Sequence, residues 1–148
     1  EFIPFRRAIE ANVPMIMVGH LLVPALDAEY PASLSKKVMT DLLRNELGYS
    51  GIIITDDVTM QALDLPIENI AVQTIAAGAD IVLVGHDLQK ALAAQQAIIA
   101  AVESGELSEQ RVNNSVLRVL REKRKRGEAN VQHFSVKEWN DTLQQFLQ

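Results

Sequence analysis

The chain has 148 residues, 48% of them hydrophobic and 22% charged, enough for one globular domain with a sizeable core. A formal charge of −5 argues against nucleic acid or an anionic membrane surface as partner, and the absence of cysteine excludes disulfides, thiol nucleophiles and cysteine-ligated zinc. No apolar stretch approaches the ~20 residues that span a bilayer, and no secretory leader pattern opens the chain.

From Glu1 the chain runs at once into an amphipathic helix over 5–11, with Pro4 in its first turn. So direct an entry, without a polar lead-in, points to a piece of a larger protein. An apolar strand over 13–20 follows, ending in Gly19 and His20. A loop holding Pro24 and Pro31 leads to Ser33 or Ser35, either of which can cap a helix that stops at Gly48. Gly51-Ile52-Ile53-Ile54-Thr55 reads as a strand buried on both faces, because its isoleucines are apolar toward either side and branched at Cβ. It ends abruptly in Asp56 and Asp57. Helical spacing returns over 68–77 and closes at Gly78, and a third apolar strand over 80–85 ends beside His86 and Asp87. An Ala/Gln-rich helix over 88–103 stops at Ser104-Gly105. Ser108 caps a last helix over 109–125, with apolar positions at Val112, Val116, Val119 and Leu120. From Gly127 the chain turns polar, and 127–148 reads as a tail or an appended helix around 139–147.

Strand and helix alternate, which implies βαβ units, a parallel sheet and an α/β fold. Three strands left open would expose long edges, so the pattern predicts an arc of something larger. The short helix-to-strand spacings suit a (β/α)8 barrel; a flavodoxin-like domain, the alternative, has about five strands.

In such folds chemistry gathers where the strands end, which makes Asp56 and Asp57 the candidate site. Three readings are open for the pair. One aspartate can be a glycosidase nucleophile, both can be hard ligands for a divalent cation such as magnesium, or one caps the following loop while the other is solvated. Metal ligation by His20, His86 and His133 is not expected, since no HxxxH or comparable spacing exists. His86 reads as a loop residue and His133 as a solvent-facing residue of the tail. The basic run Arg118, Arg121, Lys123, Arg124, Lys125 and Arg126 lies at a helix C-terminus, where cations suit the dipole, and reads as a solvated helix end. Met60 is expected to pack beneath the site.

The run Glu46-Leu47-Gly48-Tyr49-Ser50-Gly51, continuing through Ile52-Ile53-Ile54 to Thr55-Asp56-Asp57, resembles the signature of glycoside hydrolase family 3, a strand ending in Ser/Thr-Asp. Further segments fall in the family's order. They are Pro4-Phe5-Arg6-Arg7-Ala8-Ile9, Met15 to His20 with Pro24-Ala25-Leu26-Asp27, Pro31-Ala32-Ser33-Leu34-Ser35, and Ala77-Gly78-Ala79-Asp80. The resemblance covers residues 1–126 and implies the C-terminal portion of a TIM (β/α)8 barrel, about three strands with flanking helices, with 127–148 outside it.

The same resemblance implies a retaining double displacement. Asp56, right after Thr55, would form a glycosyl-enzyme ester that water then releases. Asp57 stands where β-glucosidase-like members carry tryptophan, which favours the β-N-acetylglucosaminidase-like branch, with cell-wall muropeptides and chitin-derived sugars among its substrates. Asp57 would shape the loop or receive hydrogen bonds near the sugar. His20 would either face the sugar or be a packed, hydrogen-bonded histidine. The branch takes its acid/base from a His in an upstream K-H-F-P-G-x-G-like segment, and this chain holds none. The expected partners are therefore a carbohydrate substrate and the N-terminal portion of the same barrel, from the same protein or a companion chain. No metal or organic cofactor is implied, and a bacterial protein, cytoplasmic or exported, fits equally. The alternatives are a non-catalytic fragment or assembly subunit completed by a partner polypeptide, and a metal-dependent barrel enzyme.

Overall fold

The structure, a computed structural model, describes residues 2–126. The tail over 127–148, its expected helix around 139–147 and His133 lie outside the described residues. Helix α1 (Ile3–Glu10) carries Pro4 in its first turn, where the missing N–H has no helical partner to lose. Strand β1 (Met15–Val18) is followed by a loop, a 3-10 turn (Ala32–Leu34) and a ten-residue π-helix (Lys37–Glu46). Of the two serines able to cap that helix, Ser35 does so, its Oγ accepting from Val38 N at 3.2 Å. The helix ends at Gly48, whose φ of +70° lets Tyr49 N turn back to Leu43 O at 3.0 Å.

Strand β2 (Ile52–Asp57), helix α2 (Ile67–Ala77), strand β3 (Ile81–Leu83), helix α3 (Leu88–Glu103) and helix α4 (Glu109–Arg126) complete the order. Asp87 caps α3 by accepting from Gln89 N at 2.9 Å and Lys90 N at 3.1 Å, and Ser108 Oγ accepts from Arg111 N at the start of α4. The strands form one parallel sheet in the order β1-β2-β3, with Met15 opposite Ile52 and Val18 opposite Thr55. The isoleucine strand is central, as its two apolar faces require.

Met39 and Leu43, one turn apart on the π-helix, pack with Val18, Tyr49, Ile53 and Ala77. A second cluster of Leu34, Val58, Leu63 and Ile70 surrounds the segment leaving β2, and Ile75, Ala101 and Leu107 join α2 to α3. Asp80, entering β3, holds these layers in place. Its carboxylate is fully buried and accepts from Ile53 N at 3.0 Å, Ser115 Oγ at 2.7 Å, Arg118 Nη1 at 2.9 Å and the Arg44 guanidinium. Arg111 Nη1 stands 3.9 Å away. One carboxylate thus connects the π-helix, β2, β3 and α4.

Arg118 corrects the reading of the basic run. It shares one face of α4 with Arg111 and Ser115 and turns inward to Asp80, whereas Arg121, Lys123, Arg124 and Lys125 are solvated as expected. Beyond β1 and beyond β3 the sheet has no further strand among the described residues, and Met15 and Met17 of β1 are exposed.

Candidate active site

The pairing of β2 with β3 changes register just before the two aspartates. Ile54 lies opposite Ile81 and Asp57 opposite Leu83, so Thr55 and Asp56 together oppose Val82. This is a bulge, a device that bends a strand and re-aims its side chains. The ladder donor it would leave unpaired, Leu83 N, is taken by Thr55 Oγ1 at 3.0 Å. Thr55 is fully buried, so a hydroxyl there repairs the sheet while Asp56 is turned out at its C-terminal edge.

The two carboxylates are engaged very differently. Asp57 Oδ1 accepts from Thr59 N at 3.0 Å, Thr59 Oγ1 at 2.8 Å and Gly85 N at 3.1 Å. These bonds favour the charged form and hold the Asp57 carboxyl below its ordinary value, the Thr59 amide contributing most, then the Thr59 hydroxyl; Gly85 N and the neighbouring His86 add to the effect. Asp57 therefore pins the loop after β2 to the loop after β3. Gly85 makes the close approach possible, because a Cβ there would fall on Asp57 Oδ2.

Asp56 accepts one bond among the described residues, from Asp57 N to Oδ1 at 2.8 Å. Its Oδ2, like that of Asp57, accepts no hydrogen bond among the described residues. The half-buried side chain sits at the C-terminal end of the central strand.

His20, at the loop after β1, is a packed and hydrogen-bonded histidine. Its Nε2 donates to Asp57 O at 2.9 Å and its Nδ1 lies 2.7 Å from Ser33 Oγ. His86 is exposed in the loop after β3. Met60 does not pack beneath the site. Its N–H closes a turn onto Asp57 O at 3.1 Å, which puts the side chain at an exposed corner, and Val58 fills the core position instead. Among the described residues, no group of three or more histidine, aspartate or glutamate side chains comes together as a metal site. Asp27 is buried in the loop before the π-helix, held below its usual range chiefly by the Ser35 hydroxyl and also by Glu29 N.

Ser33, Thr59 and Gly85 were not visible as site residues from sequence. The Ser33 hydroxyl reaches His20 across 13 positions and Gly85 acts by lacking a side chain, and no local pattern announces either. Thr59, two residues after Asp57, is the spacing at which an aspartate hydrogen-bonds its own chain, and that signal could have found it.

Residues 1–122 match the family model described as the glycosyl hydrolase family 3 N terminal domain. The chain belongs to glycosyl hydrolase family 3. A β-hexosaminidase of Nitrosomonas eutropha is 37% identical over 121 residues, 78% of this chain and 34% of that protein. The solved family 3 β-N-acetylglucosaminidase of a Paenibacillus species superposes with a TM-score of 0.84 at 42% identity, over 90% of this chain and 26% of that one. The β-N-acetylglucosaminidase of Thermotoga maritima gives 0.74 at 28% identity, over 80% of this chain and 27% of that one. The chain thus spans about a third of the curated relatives it matches first, and about a quarter of these solved structures. Within the family fold, its three parallel strands and helices are an arc of a TIM-barrel-like α/β structure.

Proposed function

We propose that residues 1–126 form the C-terminal portion of a family 3 catalytic barrel that hydrolyses terminal β-linked N-acetylglucosamine, or a related β-hexosaminide, with retention. Asp56 is the nucleophile. The observation that carries this is the asymmetry of the pair, in which Asp57 Oδ1 is tied into two loops by three hydrogen bonds while the Asp56 carboxylate accepts a single one, from Asp57 N, among the described residues. The names of the relatives, β-hexosaminidase and β-N-acetylglucosaminidase, support the substrate class.

In the first step Asp56 Oδ2 attacks the anomeric carbon as the glycosidic C–O bond breaks. The leaving oxygen takes a proton from an acid on a segment outside this chain. Water, deprotonated by the same group, then attacks the anomeric carbon and restores the Asp56 carboxylate. Carboxylate, acid and water suffice, so no cofactor enters. The missing segment belongs to the same protein or to a companion chain that pairs with the open edges of β1 and β3.

The complete protein should hydrolyse an aryl β-N-acetylglucosaminide, with the β-anomer released first by NMR. Release of the α-anomer first would contradict a covalent Asp56 intermediate. No hydrolysis by a complete barrel would favour a non-catalytic assembly subunit.

A further inference from the structure

We infer that His20 is a positioning residue for the Asp56 carboxylate, acting through the Asp57 peptide and not through the sugar. The inference rests on the proposed role of Asp56. A carbonyl oxygen can only accept, so the 2.9 Å contact to Asp57 O requires the proton on Nε2. In the neutral ring Nδ1 is then an acceptor, and the fully buried Ser33 hydroxyl at 2.7 Å supplies its proton. Both ring nitrogens are engaged, and the imidazole has no polar atom left to offer a substrate.

The brace has a rigid base. Ser33 lies in the 3-10 turn, whose carbonyl at Ser33 accepts from Thr74 Oγ1 of α2 at 3.2 Å. At the other end, Asp57 is constrained at its carbonyl, its N–H and one carboxylate oxygen. Its carbonyl accepts from His20 and Met60 N, its Oδ1 from Thr59 and Gly85, and its N–H donates to Asp56 Oδ1. Fixing Asp57 in this way fixes the direction of that N–H. The N–H in turn orients the Asp56 carboxylate with Oδ1 held and Oδ2 presented. Within this set, His20 reaches the peptide from the loop after β1, across the sheet from β3.

The test compares His20→Gln with His20→Leu in the complete protein. Glutamine places an amide N–H where Nε2–H was, whereas leucine fills the space without a donor. His20→Leu should slow glycosyl-enzyme formation on the order of 10- to 100-fold, the scale on which small misplacements act, with KM little changed. His20→Gln should recover most of the rate at an equal melting temperature. Equal losses in both variants would overturn the proposal, as would a raised KM at unchanged kcat, which would mean a sugar contact. Two NMR readouts stand apart from activity. The wild-type ring should be the Nε2–H tautomer, and the Asp57 amide proton should shift and exchange faster in His20→Leu but not in His20→Gln. An Nδ1–H tautomer, or an Asp57 amide indifferent to both variants, would overturn it too. An inactive wild type with those two signatures intact would instead remove the glycosidase reading and leave the brace standing.

Discussion

Replacing Asp80 by asparagine tests whether one buried carboxylate holds the layers of this structure together. Its Oδ2 serves Ile53 N and Arg44, and its Oδ1 serves Ser115 and Arg118, so whichever oxygen becomes an amide nitrogen faces two donors. The change also leaves the guanidinium groups of Arg44, Arg111 and Arg118 facing one another without a counter-charge. Removing one partner of a buried ion pair costs about 3–5 kcal/mol. The arginine side chains are 12%, 21% and 28% exposed, so water relieves part of the strain on Arg111 and Arg118 and the lower figure, about 3 kcal/mol, applies. With a urea m-value of about 2 kcal/mol/M, the midpoint should fall by about 1.5 M. Equilibrium urea unfolding of the protein followed by far-UV circular dichroism measures it. Adding Arg118→Met should restore part of the loss, because the two sites share one network. A midpoint within about 0.3 M of the parent for Asp80→Asn would refute the reasoning.

Gly85→Ala should drive Asp57 off Gly85 N, since the new Cβ meets its Oδ2, and lower kcat about 10-fold or more in a complete barrel; unchanged kinetics would mean the contact is idle. The carboxyls of Asp27 and Asp57 are held below the unfolded value of about 3.9, so their stabilising effect is fully present above it and disappears as pH falls through the lowered folded values. Urea midpoints between neutral and strongly acid pH should therefore decline, and Asp57→Asn should flatten part of that acid slope; an identical slope in the variant would count against the loop role. Hydrolysis should be indifferent to EDTA, whereas its loss on chelation would favour Asp56 and Asp57 as metal ligands. Native mass spectrometry of active material should find this chain joined to, or part of, a polypeptide supplying the remaining barrel strands; turnover by a lone 148-residue species would contradict the need for them.

Much of the fold was legible because its signals are local. The isoleucine run announced the central strand, Gly48 and Gly78 the helix ends, and Ser108 the cap of α4. The π-helical pitch over Lys37–Glu46 was not, since Met39 and Leu43 satisfy an α-helical pattern equally well. Arg118 was misread because a charge run looks solvated until its helix face is known; Arg111, Ser115 and Arg118 recur at helical spacing toward a carboxylate more than thirty positions away. At the site, the residues alone pointed to both aspartates, and only the family resemblance divided them into Asp56 as nucleophile and Asp57 as a loop-shaping residue. The hydrogen bonds that tie Asp57 down were not legible, because they come from Gly85 and His20 in the loops after the two neighbouring strands. Met60 was misplaced for a similar reason, because a turn and not a strand carries it.

The most direct measurement of the central claim is covalent trapping of the complete protein with a fluorinated β-N-acetylglucosaminide, followed by peptide mapping. The account predicts a mass increase on the Asp56 carboxylate, present in Asp57→Asn and absent in Asp56→Asn. Label on Asp57, or label that persists in Asp56→Asn, would contradict it.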